Sequence, residues 1–271
     1  MKIIGLIGGM SWESSLEYYR IINEVVKEKL GGFFSAKSVM YSVNFEEIEK
    51  LQHKGDWQAA TELMVDAAQR VERAGAEFLL ICTNTMHKMA DEVQAAISIP
   101  LLHIGDVTAA AIKAKGQKKI GLLGTKFTME QDFYKGRLQN KHGIEVIIPD
   151  EAERQVVHDI LYDELCLGEI KEISRDKFKQ IISGLVSAGA EGIVLGCTEI
   201  PLIVSQEDYE ICFEFSFDVV ALVPVRVFRF VINYLLYPFG QRDQFLFRVF
   251  EIIFIRPVIN RRDIEADMFL A

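Results

Sequence analysis

Over the first 200 residues, short β-branched runs alternate with longer stretches in which apolar residues return every three or four positions. The runs at 2–7, 38–43, 77–81, 101–103, 119–123, 145–148 and 192–195 read as strands, and the stretches 14–29, 56–74, 106–115, 129–141, 151–165 and 174–188 read as amphipathic helices. Most strand ends meet Gly, Thr, Asp or Asn, which turn the chain and cap the next helix. Strands and helices in strict alternation are the pattern of parallel βαβ units, so the predicted fold class is α/β.

The pattern is also duplicated. Lys2–Gly9 (KIIGLIGG) returns as Lys119–Thr125 (KIGLLGT), and Ala74–Thr83 (AGAEFLLICT) returns as Ala188–Thr198 (AGAEGIVLGCT). From Gly5 to Cys82 is 77 residues and from Gly121 to Cys197 is 76, which suggests one shared register. The expectation is two pseudo-symmetric parallel-sheet domains, 1–100 and 101–210, with the active site between them. Each would carry a cysteine at the carboxyl end of a central strand, where open α/β sheets bind their ligands.

Composition narrows the class. Thirty basic residues against thirty-nine acidic, with no Lys/Arg run longer than two, leave no footprint for a nucleic acid or an anionic membrane. The chain opens directly into a βα unit without an apolar leader, so the expected compartment is the cytoplasm. Four cysteines without zinc-ligand spacing predict free thiols and no metal. The glycines of GLIGG, at 5, 8 and 9, fail the spacing of a dinucleotide fingerprint.

Two thiols facing one cleft suit inversion at a tetrahedral carbon. One thiolate removes a proton from one face of a stereocentre while the opposite thiol delivers a proton to the other. Duplication singles out Cys82 and Cys197 for these roles; Cys166 and Cys212 read as structural residues. His87 and His103 likewise read as satisfied structural imidazoles.

The segments GLIGGMSWESSLEYYR (5–20), ICTNTMHK (81–88), LLGTKFTMEQDFYKGRL (122–138), YDELCLGEI (162–170) and GCTEIPLIV (196–204) resemble the aspartate/glutamate racemase family, and within it the broad-specificity amino-acid racemases. The resemblance implies a cofactor-independent amino-acid racemase, with Cys82 and Cys197 as the acid/base pair, no pyridoxal phosphate and no metal. It implies a small-molecule amino acid as partner, and members are often homodimers. Residues carried over as substrate contacts are Met10, Ser11, Trp12, Gln52, Thr83, Asn84, Thr85, Thr125, Thr128, Thr198 and Glu199. Glu199 is a candidate for the substrate ammonium, while Thr125 and Thr128 could equally be helix caps. Neither YDELCLG nor NFEEIE holds a Lys or Arg for a second carboxylate, which favours neutral or assorted amino acids over aspartate.

After residue 200 the composition changes. Eighteen of nineteen glycines and all seventeen lysines precede it, whereas eleven of eighteen phenylalanines and seven arginines come after. Residues 211–271 form an atypical Phe/Arg-rich tail. Its apolar stretch 219–239 contains Arg226 and Arg229, which disfavour a membrane span, and Phe213, Phe215 and Phe217 alternate as a strand face would. The abrupt loss of Lys and Gly favours an altered reading frame. Such a tail raises a rival function, an amino-acid-binding or interaction protein that has lost turnover.

Overall fold

The computed structural model describes residues 1–204 and the backbone of 212–215. In chain order the elements are β1 (Ile4–Gly8), α1 (Trp12–Leu30), β2 (Ser38–Ser42), α2 (Phe45–Lys54), α3 (Trp57–Arg73), β3 (Phe78–Ile81), α4 (Ala90–Ala95), α5 (Ile104–Ala114), β4 (Lys119–Gly124), α6 (Lys126–Glu130), β5 (Glu145–Ile147), α7 (Glu151–Asp163), α8 (Glu172–Ser187), β6 (Gly192–Gly196) and β7 (Cys212–Phe215). A 3-10 turn over Thr85–Met89 precedes α4, and a π-helix over Asp132–Lys141 comes after α6.

The strands form two parallel sheets, ordered β2-β1-β3 and β5-β4-β6-β7. The fold is therefore mixed α/β with two like halves. Each half places its first strand between the second and third. β1 is buried along its whole length, as is β6, which explains why both read as unbroken apolar runs.

The structure departs from the sequence pattern in several places. The expected strand at 101–103 contributes a single bridge, Leu79 to Leu101. The expected helix 129–141 is split at Gln131, whose extended backbone divides α6 from the π-helix. α2 and α4 are additional helices beyond those expected; the Asn44 cap of α2 and the left-handed Gly55 that ends it are both visible in the sequence. Finally, β7 lies inside the segment assigned to the atypical tail, yet it pairs parallel with β6 from Gly192–Cys212 to Leu195–Phe215. The second sheet thus runs at least to residue 215. The remaining tail readings, including the apolar stretch 219–239 and the altered frame, lie outside the described residues. Among the described residues no helix is long and apolar enough to cross a membrane.

Alternation along β3 sends successive side chains into different cores. Phe78 and Leu80 pack into one cluster with Tyr18 and Ile22 of α1, while Leu79 and Ile81 pack into another with Met64, Ala67 and Val71 of α3. Cys82 continues the first series and joins that core with no exposed surface.

Candidate active site

The carboxyl ends of β1, β3, β4 and β6 converge on one cleft, lined from the first half by Met10, Ser11, Phe45, Gln52, Thr83, Asn84 and Thr85, and from the second by Thr125, Leu161, Tyr162, Cys166, Gly196, Cys197, Thr198 and Glu199. Ten of the thirteen residues expected at the site line it. The exceptions are Cys82, Trp12 and Thr128.

Cys82, expected to pair with Cys197, lies outside the cleft. Sheet register matches Ile7 with Ile81 in the first half and Leu123 with Leu195 in the second. Since Ile7 and Leu123 are equivalent in the duplicated first strands, Ile81 corresponds to Leu195, Cys82 to Gly196, and Thr83 to Cys197. Thr83 and Cys197 also stand at the same offset from Ala74 and Ala188, which open the two AGAE turns. Counting from Gly5 and Gly121 conceals this shift, because the intervening segments differ in length. A shift of one residue at a strand end exchanges core for cleft. Cys82 therefore faces the core; burial pushes its thiol well above the ordinary value. The hydroxyl of Ser14 donates to its carbonyl at 2.8 Å.

Gly196, the counterpart of Cys82, has no room for a side chain. An added Cβ would lie 2.9 Å from the Leu123 carbonyl oxygen and 3.1 Å from Cγ2 of Thr128. This explains Thr128, which is fully buried and packs against Gly124 and Gly196 instead of reaching the cleft. Thr125 lines the cleft and also caps α6, accepting from the Thr128 amide at 3.3 Å. Trp12 is turned outward, 65% exposed, into a separate surface groove with Leu16, Tyr19 and Met40.

At the second strand end a carboxylate organises the donors. Glu199 is buried; it accepts from the Cys197 thiol at 2.9 Å, from the Thr198 hydroxyl at 2.8 Å, and from the Ser11 hydroxyl at 2.9 Å. Ser11 belongs to the first half, so this last bond crosses the cleft. Gly9, at φ +92°, makes the turn that brings Ser11 there, with its amide donating to the Ser15 hydroxyl at 2.7 Å. Burial, then the nearby Glu199 charge, raises the Cys197 thiol well above its ordinary value. In the resting site the thiol therefore keeps its proton, held toward Glu199. The expected partner of Glu199, a substrate ammonium, is thus joined by a nearer one, the thiol itself.

A second bridge crosses at the threonines, where the hydroxyls of Thr85 and Thr125 lie 3.2 Å apart. A third joins Gln52 to Tyr162, whose hydroxyl donates to Oε1 at 3.2 Å, while Nε2 of Gln52 donates to the Met86 sulfur at 3.1 Å. Phe45, Leu161, Tyr162 and Cys166 are lining residues beyond those expected. The segment YDELCLG does hold a usable signal: it carries Tyr162 and Cys166 at and just past the end of the helix after β5. Burial pushes the Cys166 thiol up to about 12. Among the described residues the lining includes no Lys or Arg, and no group of three or more His, Cys, Asp or Glu side chains could hold a metal ion.

Comparison with known proteins agrees with this fold. The family model for Asp/Glu/Hydantoin racemase matches residues 7–226, beyond the point at which the sequence resemblance fades. A crystal structure from Yersinia pestis described as an Asp/Glu racemase is 56% identical with a TM-score of 0.77, covering 82% of this chain and 96% of that one. An aspartate racemase homologue from Pyrococcus horikoshii is 35% identical with a TM-score of 0.72, covering 84% and 99%. The broad specificity amino-acid racemase RacX of Bacillus subtilis is 28% identical over 152 residues, 55% of this chain and 63% of that protein.

Proposed function

The chain belongs to the Asp/Glu/hydantoin racemase family, and from that membership we propose that it interconverts L- and D-amino acids by moving the α-proton between Cys197 and Thr83, with neither pyridoxal phosphate nor a metal. The observation carrying this reading is that the two residues made equivalent by sheet register, Thr83 and Cys197, line one cleft. The two-thiol scheme would need Cys82 to leave a core in which it has no exposed surface; Thr83 needs no such movement.

The chemistry derives from the donors. As substrate enters, the Cys197 proton passes to Oε2 of Glu199, and the thiolate takes the α-proton facing it, forming S–H and a carbanion. The Thr83 hydroxyl delivers its proton to the opposite face, and the proton held on Glu199 passes through solvent to the resulting alkoxide, which returns every group to its starting state. The reverse reaction exchanges the roles. Positioned proton transfers of this kind contribute roughly 10²- to 10⁴-fold each. Donors at Asn84, Thr85, Thr125 and Thr198 suit the substrate carboxylate. Among the described residues the remainder of the cleft, at Phe45, Leu161, Tyr162 and Cys166, carries no cation and suits a neutral side chain, because a second carboxylate there would be buried without a counter-charge.

The test is incubation with a panel of L- and D-amino acids in D2O, scoring α-deuterium and chirality separately. Cys197→Ser should abolish inversion and exchange. Thr83→Ala should abolish inversion but keep exchange for the enantiomer whose α-proton faces Cys197, since the same thiol can return a solvent deuteron. Inversion surviving in Cys197→Ser, or no exchange of any amino acid by the intact chain, would refute the reading.

A further inference from the structure

Thr83 lies two residues past the end of β3 and precedes a 3-10 turn, Thr85–Met89, so its carbonyl lacks the backbone partner that an α-helix would supply. The His87 amide, which would serve that carbonyl in an α-helix, donates instead to Asn84 at 3.0 Å. The imidazole of the same residue takes over: Nδ1 of His87 lies 2.8 Å from the Thr83 carbonyl oxygen. Its other nitrogen, Nε2, lies 3.2 Å from the Ile104 amide at the start of α5. An amide N–H can only donate, so Nε2 accepts and the ring proton resides on Nδ1, which donates to Thr83. The ring is 2% exposed. The bond from Ile104 exists only in the neutral form, since a protonated ring keeps Nδ1–H but loses the acceptor at Nε2; burial pushes the imidazole down to about 4, which keeps it neutral near pH 7.

Among the described residues the second half has no such device. The Cys197 carbonyl accepts the Ile200 amide at 3.4 Å, and the turn there is organised by Glu199. The two strand ends are thus held by different means. His87 is also attached to the segment joining the halves, since α5 is tied to the second half by the bidentate pair of Asp106 with Arg137, at 2.7 and 2.8 Å.

We infer that His87 is a positioning residue for Thr83: its Nδ1–H replaces the missing helical bond to the Thr83 carbonyl, keeping the turn tight, with Thr83, Asn84 and Thr85 all facing the cleft. This rests on the proposed role of Thr83 in proton transfer. Such a step is sensitive to misplacement on the ångström scale, at roughly a hundredfold in rate.

Two variants separate the two bonds. Asn at 87 places a donor near the Nδ1 position and keeps the bond to Thr83; Gln places an acceptor near the Nε2 position and keeps only the bond to Ile104. His87→Gln should lower inversion roughly a hundredfold while α-deuterium exchange of the Cys197-facing enantiomer persists, so its exchange-to-inversion ratio rises toward that of Thr83→Ala. His87→Asn should keep the wild-type ratio. Inversion and exchange falling in equal proportion in His87→Gln would overturn the positioning role, as would a raised ratio in His87→Asn. If His87→Gln does not fold, the ratio in His87→Asn alone decides. A wild-type chain that inverts while Thr83→Ala inverts equally well would instead overturn the role of Thr83, and this inference with it.

Discussion

Replacing Cys82 separates the pair set by sheet register, Thr83 and Cys197, from the pair that counting along the sequence suggests. The Cys82 side chain has no exposed surface and packs in the cluster containing Tyr18, Ile22, Phe78 and Leu80. Cys82→Ser puts a hydroxyl into an apolar setting, a change that costs about 1–3 kcal/mol when the new group has no partner. Cys82→Ala removes one buried heavy atom and should cost on the order of 1 kcal/mol. For a domain of this size each kcal/mol lowers Tm by about 2–4 °C. Neither variant removes a group that faces the cleft, so turnover per folded molecule should stay within a few-fold of wild type. If Cys82 were an acid/base residue, both variants would instead lose about 10²- to 10⁴-fold. Circular-dichroism melts, run beside chiral assays well below Tm, distinguish the two. A Cys82→Ala chain that melts like wild type but does not invert any amino acid would refute the assignment of Cys82 to the core and of Thr83 to the cleft.

Glu199→Gln removes the negative charge that, after burial, holds the Cys197 thiol high. Its midpoint for alkylation, followed by mass spectrometry on the Cys197 peptide, should move to lower pH; an unchanged or higher midpoint would show that the carboxylate does not act on the thiol. Asp106→Asn tests the charged cluster that joins α5 to the π-helix through Arg137 and Lys141, and beyond it to His142. Burial pushes the Asp106 carboxyl up, but its bonds to Arg137, His142 and Lys141 outweigh that and leave it well below the ordinary value. A depressed carboxyl stabilises the fold above its unfolded value near 4 and loses that contribution as pH falls. The wild-type melting temperature should therefore decline below about pH 4 more steeply than that of Asp106→Asn, which should itself lose about 2 kcal/mol near neutrality. Parallel pH dependences in the two chains would contradict the cluster's role.

Much of this protein is legible in its residues alone. The period-2 and period-3.6 patterns fix the order of most strands and helices, because a buried parallel strand must be apolar throughout and an amphipathic helix must cover it. The repeated KIIGLIGG and AGAE segments disclose the two halves, and the strand-end positions of Ser11, Asn84, Thr125 and Cys197 mark the cleft. Local sequence does not reveal which of two adjacent residues, Cys82 or Thr83, faces that cleft. Side-chain direction at a strand end depends on hydrogen-bonded register with the neighbouring strand, and that register is set by contacts between residues some seventy positions apart. The same holds for Glu199, whose three donors come from both halves, and for His87, whose two partners lie on either side of it in the chain. Composition and periodicity determine which elements form, since each depends on a residue and its near neighbours. Only the packed sheets decide which atoms meet, because that depends on where the backbone of a distant strand has already placed its hydrogen bonds.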